Sequence, residues 1–205
     1  APVEELLRRL QAMPLPSSPP GAGPVDLRDM PGGVSNTTHG EGVVRGVGYA
    51  VAYKNVGFSE GYDDYSTARV RLEIVGGEPT ATVHTAAAEV GQGLVTVEQQ
   101  IARTELGVEH VVVHTKDTTV GSGGSSSASR QTYVTGGAVQ AACVKVRELV
   151  LARAQRHLGR TVGDLRLEGG KVVSDRVGVA LDLVDLLGTA AVEQTMEWRH
   201  RPTVP

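Results

Sequence analysis

The sequence predicts an α+β fold, a mixed α/β sheet with two principal helices packed on it. Three observations predict it. Residues 68–85 alternate apolar and polar side chains around a Gly76-Gly77-Glu78-Pro79 turn, the pattern of a hairpin. Segments 92–106 and 129–158 carry apolar residues at helical spacing. Each helical segment follows a strand-like run through a loop of small residues, so strand, helix, strand and helix alternate along the chain.

The elements follow in order. Val3 to Met13 reads as a short amphipathic helix with Leu6, Leu7 and Leu10 on one side. The prolines of Pro14-Leu15-Pro16-Ser17-Ser18-Pro19-Pro20 break it, and residues 14–40 read as a connector. The expected domain organisation is therefore an N-terminal helix and connector over 1–42, an α+β domain over 43–190 and an irregular tail over 191–205. Val43 to Tyr53 is small, apolar and β-branched, the composition of a buried strand. In the next strand Val70, Leu72 and Ile74 face away from Arg69, Arg71 and Glu73, and Thr80 to Thr85 returns alongside it. Helix 92–106 should turn Leu94, Val97, Ile101 and Leu106 inward, and Gly107 ends it. Glu109 to Thr115 is another strand. Along helix 129–158, Val134, Ala138, Ala141, Lys145 and Leu149 trace one stripe; Val139, Ala142, Val146 and Val150 trace its neighbour. Gly136-Gly137 costs about 2 kcal/mol of helix propensity, which marks a surface where another backbone must come close. A short hairpin around Gly169-Gly170 and a helical turn at 182–187 complete the pattern.

At 205 residues the chain can bury a core, as one large domain or two small ones. Its 26 glycines are nearly twice the usual share of about 7%. With one Phe, one Trp and five Tyr, the interior must be built from Val, Leu and Ala. The net charge of −3 and the lack of a basic tract argue against nucleic acid. A single cysteine, Cys143, excludes an internal disulfide and any cysteine-only iron–sulfur or zinc site; its apolar neighbours mark it as a buried small hydrophobe. His110 and His114 share a strand face, but no carboxylate or cysteine completes a ligand set beside them. No apolar run approaches the roughly 20 residues of a membrane span, and no signal peptide opens the chain, so the default expectation is cytoplasmic.

The chemistry concentrates in the two small-residue loops. Glu89-Val90-Gly91-Gln92-Gly93 opens the first long helix. Asp117 to Thr132, which contains Gly121-Ser122-Gly123-Gly124-Ser125-Ser126-Ser127-Ala128-Ser129, opens the second. Small residues let backbone N–H groups and hydroxyls approach a ligand, and a helix start adds donors and a positive dipole end. That combination suits a phosphate or another cluster of anionic oxygens. If the strands before the two loops share a sheet, both loops emerge at one edge and both helix starts can face one ligand. A serine-rich N-cap needs one such residue, and here there are four in five. Known signatures fail: there is no G-x-x-x-x-G-K-S/T, neither Gly46-Val47-Gly48 nor Gly91-Gln92-Gly93 carries the third glycine of a dinucleotide fingerprint, and no G-x-S-x-G elbow exists.

Glu89-Val90-Gly91-Gln92-Gly93-Leu94, followed by a helix, a strand, Asp117-Thr118 and Ser125-Ser126-Ser127-Ala128-Ser129-Arg130-Gln131-Thr132, resembles the molybdenum hydroxylases of the xanthine dehydrogenase and aldehyde oxidase family. More narrowly it resembles the molybdopterin-binding large subunit of a bacterial xanthine dehydrogenase. Arg45-Gly46-Val47-Gly48-Tyr49-Ala50 and Lys54-Asn55-Val56-Gly57-Phe58-Ser59 are similar to the segment that precedes those motifs, so the resemblance covers roughly 40–150. It implies that Gly91, Gln92 and Gly93 contact the pterin, and that Ser126, Ser127, Ala128, Ser129 and Gln131 line the pterin and its phosphate, with Ala128 nearest the molybdenum. It implies hydroxylation of purines, related N-heterocycles or aldehydes with water as the oxygen source. Electrons would leave through 2Fe–2S iron–sulfur clusters and FAD held by other domains or subunits. The implied cofactor is molybdopterin, in bacteria typically the cytosine dinucleotide form.

The family's catalytic glutamate motif has no counterpart between Asp175 and Pro205, and the first residue is Ala1. The expectation is a piece of a larger subunit, catalytically silent alone, with the rest of that subunit and the iron–sulfur and flavin components as partners. Glu89, the carboxylate inside a cofactor loop, is assigned a structural role, because it would repel a phosphate unless tied to donors. Two other classes stay open: a stand-alone phosphate- or nucleotide-binding module, and a structural subunit-contact domain.

Overall fold

The computed structural model describes residues 3–13, 50–52, 63–127 and 129–200. The connector 14–40, nearly all of the strand expected at 43–53, and Ala128 lie outside these residues. The chain forms two compact units, 1–54 and 55–205. In the first, helix α1 (Val3–Ala12) buries none of its residues, and Arg8 and Arg9 pair with Glu4 and Glu5 one turn away.

The second unit is built on a four-stranded sheet whose strands lie in the order 110–114 (β3), 78–85 (β2), 65–75 (β1) and 192–199 (β7). Strands β1 (Tyr65–Val75) and β2 (Glu78–Thr85) form the expected hairpin, paired antiparallel from Ala68↔Thr85 to Val75↔Glu78. β2 continues through helix α2 (Leu94–Leu106) into β3 (His110–His114), which pairs parallel with β2 from Thr80↔His110 to His84↔His114. Parallel pairing puts the C-terminal ends of β2 and β3 at one sheet edge, so both small-residue loops leave from that edge.

Strand β7 (Val192–Arg199) corrects the expected irregular tail: it pairs antiparallel with β1 from Tyr65↔Arg199 to Leu72↔Val192. Its period-two alternation is present in the sequence, but Gln194 interrupts the apolar positions and none of them is fully buried, so the signal is faint alone. Pairing with β1 reveals it, because Val192, Met196 and Trp198 then pack on the core.

Two helices cover the inner sheet face, over the fully buried Ala68, Val70, Leu72, Ala81 and Val83. The buried stripe of α2 is Leu94, Glu98, Ala102 and Leu106. Val97 and Ile101, expected inward, are only half-buried. The small Ala102 lets the helix sit close to its neighbours, and Glu98 faces inward because Thr85 at the end of β2 donates to it at 3.0 Å. The second long helix begins as a π-helical turn, Gln131–Thr135, and continues as α3 (Gly136–Leu158). It buries all of the second predicted stripe, Val139, Ala142, Val146 and Val150, and of the first stripe buries Val134 and Ala138 but leaves Leu149 exposed. Cys143 is fully buried there, as expected, and burial pushes its thiol up to about 12. Gly137 does admit a close neighbour, but it is the indole of Trp198 and not a backbone: a methyl on Gly137 would lie 2.7 Å from Trp198 Cδ2.

The predicted second hairpin gains a third strand. β4 (Arg166–Glu168), β5 (Lys171–Ser174) and β6 (Val179–Asp182) form an antiparallel sheet of order β4-β5-β6. Helix α4 (Leu183–Leu187) follows, its first turn capped by the Asp182 carboxylate accepting from Val184 N at 3.0 Å.

Candidate functional site

The two loops are stitched side by side. Lys116 N donates to Ala87 O at 3.0 Å and Asp117 N to Thr85 O at 2.9 Å, so the chain leaving β3 runs along the chain leaving β2. Thr67 N then donates to Ser122 O at 3.0 Å, tying the glycine-rich stretch to β1. A methyl built on Gly123 would lie 2.5 Å from the Ala86 carbonyl carbon. This glycine run is therefore packed backbone, not a flexible linker.

In the first loop the Glu89 carboxylate accepts from Gly91 N at 2.7 Å, Gly93 N at 3.2 Å and Val95 N at 3.0 Å. These bonds, that of Val95 foremost, hold it below the usual carboxylate range. Glu89 thus has the structural role assigned to it. The consequence corrects one expectation: the start of α2 already holds a carboxylate, so only the second helix start is left to face an anion. The Gln92 amide folds back on its own loop, Oε1 accepting from Val90 N at 2.7 Å and Nε2 donating to Ala88 O at 2.9 Å. Each end keeps one further hydrogen-bonding position.

In the second loop the organising residue is Arg130, 1% exposed. Its Nε and Nη2 contact the Asp64 carboxylate at 2.7–2.8 Å, Nη1 donates to Gly123 O at 2.7 Å and Nη2 to Tyr65 O at 2.6 Å. The residue just before the helix thus reaches back and closes the serine loop into a ring against β1. Gly124 has φ +58°, and a methyl there would overlap the guanidinium. Ser129 also sits in the left-handed region at φ 57°, a strained position for a residue with a Cβ.

Together the loops frame a cavity of about 260 Å³. Gln92 lines it from one side; Ser126, Ser127, Ser129, Gln131 and Thr132 line it from the other, with Arg130 behind them. Of the eight expected site residues, five therefore meet at one cavity. Gly91 and Gly93 stand beside it, bonded to Glu89, and Ala128 lies outside the described residues. Gln131 is anchored from below: Thr135 Oγ1 donates to its Oε1 at 2.8 Å, and its Nε2 donates to Ser126 Oγ at 3.0 Å. Among the described residues no carboxylate lines the cavity. Hydroxyls and amides around a helix start form a donor-rich set suited to phosphate oxygens.

Sequence reasoning missed Asp64, Ser66 and Thr135, which hold the loop from β1 and from the π-helical turn. Nothing local marks them; only the β1–helix contact makes them partners. It also missed Glu98, a buried carboxyl whose Oε2 has no hydrogen-bond partner among the described residues and which burial, with the Glu89 charge nearby, raises to about 7 against the Thr85 bond. On the outer sheet face, Asp117 accepts from Arg69 at 3.2 Å and contacts His84 Nδ1 at 2.8 Å, while His84 stacks on His114 at 4.7 Å. Thr119 and then His84 hold Asp117 below the usual range. Among the described residues no group of three metal-ligating side chains gathers, and no helix is long and apolar enough to cross a membrane.

A parallel strand–helix–strand unit whose two loops frame one donor-rich cavity at the sheet edge defines an α/β-type binding domain. Residues 27–202 match the family model of the molybdopterin cofactor-binding domain, and the chain belongs to that family. It is 32% identical over 158 residues to the aldehyde oxidoreductase molybdenum-binding subunit PaoC, in Escherichia coli O157:H7 and in strain K12. That match covers 74% of this chain and 20% of PaoC, so the chain spans about a fifth of the length of the curated relatives it matches. Its fold is similar to part of quinoline 2-oxidoreductase from Pseudomonas putida 86, with TM-score 0.57 and 28% identity over 65% of this chain and 19% of that one. A likeness of fold alone extends to the Cu,Mo-CO dehydrogenase, with TM-score 0.55 and 19% identity over 67% and 18% of the two chains.

Proposed function

We propose that this chain is the molybdopterin-holding part of a molybdenum hydroxylase, an oxidoreductase acting on aldehydes or N-heterocycles, purines among them, with water as the oxygen donor. The observation that carries this reading is the meeting of Gln92 with Ser126, Ser127, Ser129 and Gln131 at one cavity, with no carboxylate among the described residues of its wall. The residues fit the group assigned to them. At about 260 Å³ the cavity is smaller than the roughly 300–1,000 Å³ of a whole small-molecule pocket, so it suits the phosphate end of a cofactor. When bound, the cofactor supplies the redox chemistry. This chain's residues bind and orient: the serine hydroxyls donate to phosphate oxygens, and Gln92, whose amide both donates and accepts, meets the mixed edge of a pterin.

Within this reading the cytosine dinucleotide form is the expected cofactor, and xanthine or a related purine is the expected substrate. The PaoC similarity supports an aldehyde equally, and steady-state assays with xanthine and with an aromatic aldehyde distinguish them. Iron–sulfur and flavin partners carry the electrons away. The 205 residues alone are expected to be catalytically silent, and purine-dependent dye reduction by them would overturn that. The test of the cofactor site uses the enzyme assembled with its partners. Gln92→Ala together with Ser129→Ala should lower molybdenum, read by mass spectrometry, and pterin, read by fluorescence after release, while leaving the circular dichroism unchanged. Full metal and pterin occupancy in the double variant would remove the assignment.

A further inference from the structure

Behind the cavity runs a chain of buried hydroxyls whose proton order decides what the cavity offers a ligand. Ser66 of β1 and Thr135 of the π-helical turn are both fully buried. Ser66 Oγ lies 3.1 Å from Thr135 Oγ1 and 3.0 Å from Ser122 O; Thr135 Oγ1 lies 2.8 Å from Gln131 Oε1; Gln131 Nε2 lies 3.0 Å from Ser126 Oγ.

Each hydroxyl has one proton to donate, so the links are not independent. If Ser66 donates to the Ser122 carbonyl, its link to Thr135 stands as a hydrogen bond only when Thr135 donates to it. Gln131 must then turn its NH2 toward Thr135 and its oxygen toward Ser126. The Ser126 proton would point inward, and the cavity would face that serine's lone pairs. In the other order Ser66 donates to Thr135, Thr135 donates to Gln131 Oε1, and Gln131 Nε2 donates to Ser126. The Ser126 proton is then free to point into the cavity. The amide stands in this second orientation, and the Ser122 carbonyl does not need Ser66, because Thr67 N already donates to it at 3.0 Å.

We infer that Ser66 and Thr135 are positioning residues which, through Gln131, make the Ser126 hydroxyl at the lip of the cavity a donor and so favour ligand oxygens that only accept hydrogen bonds. This inference rests on the reading of the cavity as a phosphate site. It narrows the ligand class to oxygens without a proton, such as those of a phosphodiester or a diphosphate linkage. A monohydrogen phosphate carries a proton on one of its four oxygens, and Ser126, with one lone pair already taken by Gln131 Nε2, meets that P–OH less well than a bare oxygen.

The test is an NMR titration of the 205-residue chain with sodium sulfate, an acceptor-only anion, and in parallel with inorganic phosphate. Sulfate should shift the Gln131 side-chain amide and the Ser126 and Ser127 backbone amides, and should bind more tightly than monohydrogen phosphate. Thr135→Val, which keeps shape and removes the hydroxyl, should weaken sulfate about tenfold. Thr135→Ser should restore affinity to near the unsubstituted value, which a purely space-filling role would not predict. Ser66→Ala should weaken sulfate in the same direction. In the unsubstituted chain the Gln131 NH2 protons should show Overhauser contacts to the Ser126 β protons and not to the Thr135 methyl. The reverse contacts, or equal sulfate affinity in Thr135→Val, would overturn the relay and leave the phosphate reading intact. Absence of any anion effect at Ser126 and Gln131 in the unsubstituted chain would overturn the phosphate reading itself.

Discussion

Arg130 and Asp64 stand 66 residues apart in sequence and form a buried ion pair with contacts of 2.7–2.8 Å. The pair joins the start of the second long helix to the start of β1, and through Gly123 O it also grips the serine loop. The loop's shape is therefore set outside the loop.

Asp64→Asn should show this directly. It leaves the Arg130 guanidinium buried without its counter-charge, and breaking such a pair typically costs about 3–5 kcal/mol. Urea unfolding should show a lower midpoint, and the Ser125–Ser127 amides should exchange faster with solvent. An unchanged midpoint would mean that the pair does not hold the loop.

Gly124→Ala tests the same clamp from the loop side. The methyl would overlap the guanidinium, and φ +58° is unfavourable for alanine, so a loss on the order of 2 kcal/mol is expected. Crystallography of the variant should find Arg130 displaced from Asp64. Alanine accommodated with the ion pair intact would contradict the packing argument.

Glu98 predicts a pH dependence. Its folded value of about 7 lies above the ordinary 4.5, so the folded chain keeps a proton that the unfolded chain has lost. Its contribution is complete below about pH 4.5 and is lost as pH rises toward 7. Its size is on the order of 3 kcal/mol. Stability should therefore fall between pH 5 and 8 in denaturant titrations. Glu98→Gln, neutral throughout, should flatten that slope and make the variant the more stable form at pH 8. The lowered Glu89 and Asp117 act in the opposite sense, losing their contribution only as pH falls through the acid range. A slope that survives Glu98→Gln would assign the titration elsewhere.

Gly137→Ala sets propensity against packing. Alanine gains about 1 kcal/mol of helix propensity, but its methyl would lie 2.7 Å from Trp198. Overpacking of that kind typically costs about 1–3 kcal/mol, so net destabilisation is expected. Trp198 is the only tryptophan, and its emission should shift to the red as the indole is pushed outward. A more stable variant with unchanged emission would show that the strand moves aside freely.

The elements legible in the sequence were those with strong local periodicity and firm punctuation. The β1–β2 hairpin, α2 ending at Gly107, and the second long helix needed only side-chain spacing and turn glycines. The two small-residue loops were legible for the same reason, and their common sheet edge followed once β2 and β3 were taken as neighbours. The residues beneath the loops were not legible. Asp64 and Ser66 precede or begin β1 with no local mark, and Thr135 lies in a turn whose wider winding spacing does not announce. Glu89 and Gln92 stood in plain view, yet whether their polar atoms faced a ligand or their own backbone depended on the fold of the loop. β7 carries an alternation too faint to read without β1 beside it.

By itself the sequence determined which segments wind or extend, and where small residues gather, because those properties depend on neighbours a few residues away. The tertiary structure alone decided which donors remain free, since a hydrogen bond such as Arg130 to Asp64 or Thr135 to Gln131 exists only when folding brings its two ends within 3 Å. That difference in range separates the scaffold, which was readable, from the polarity of the cavity, which was not.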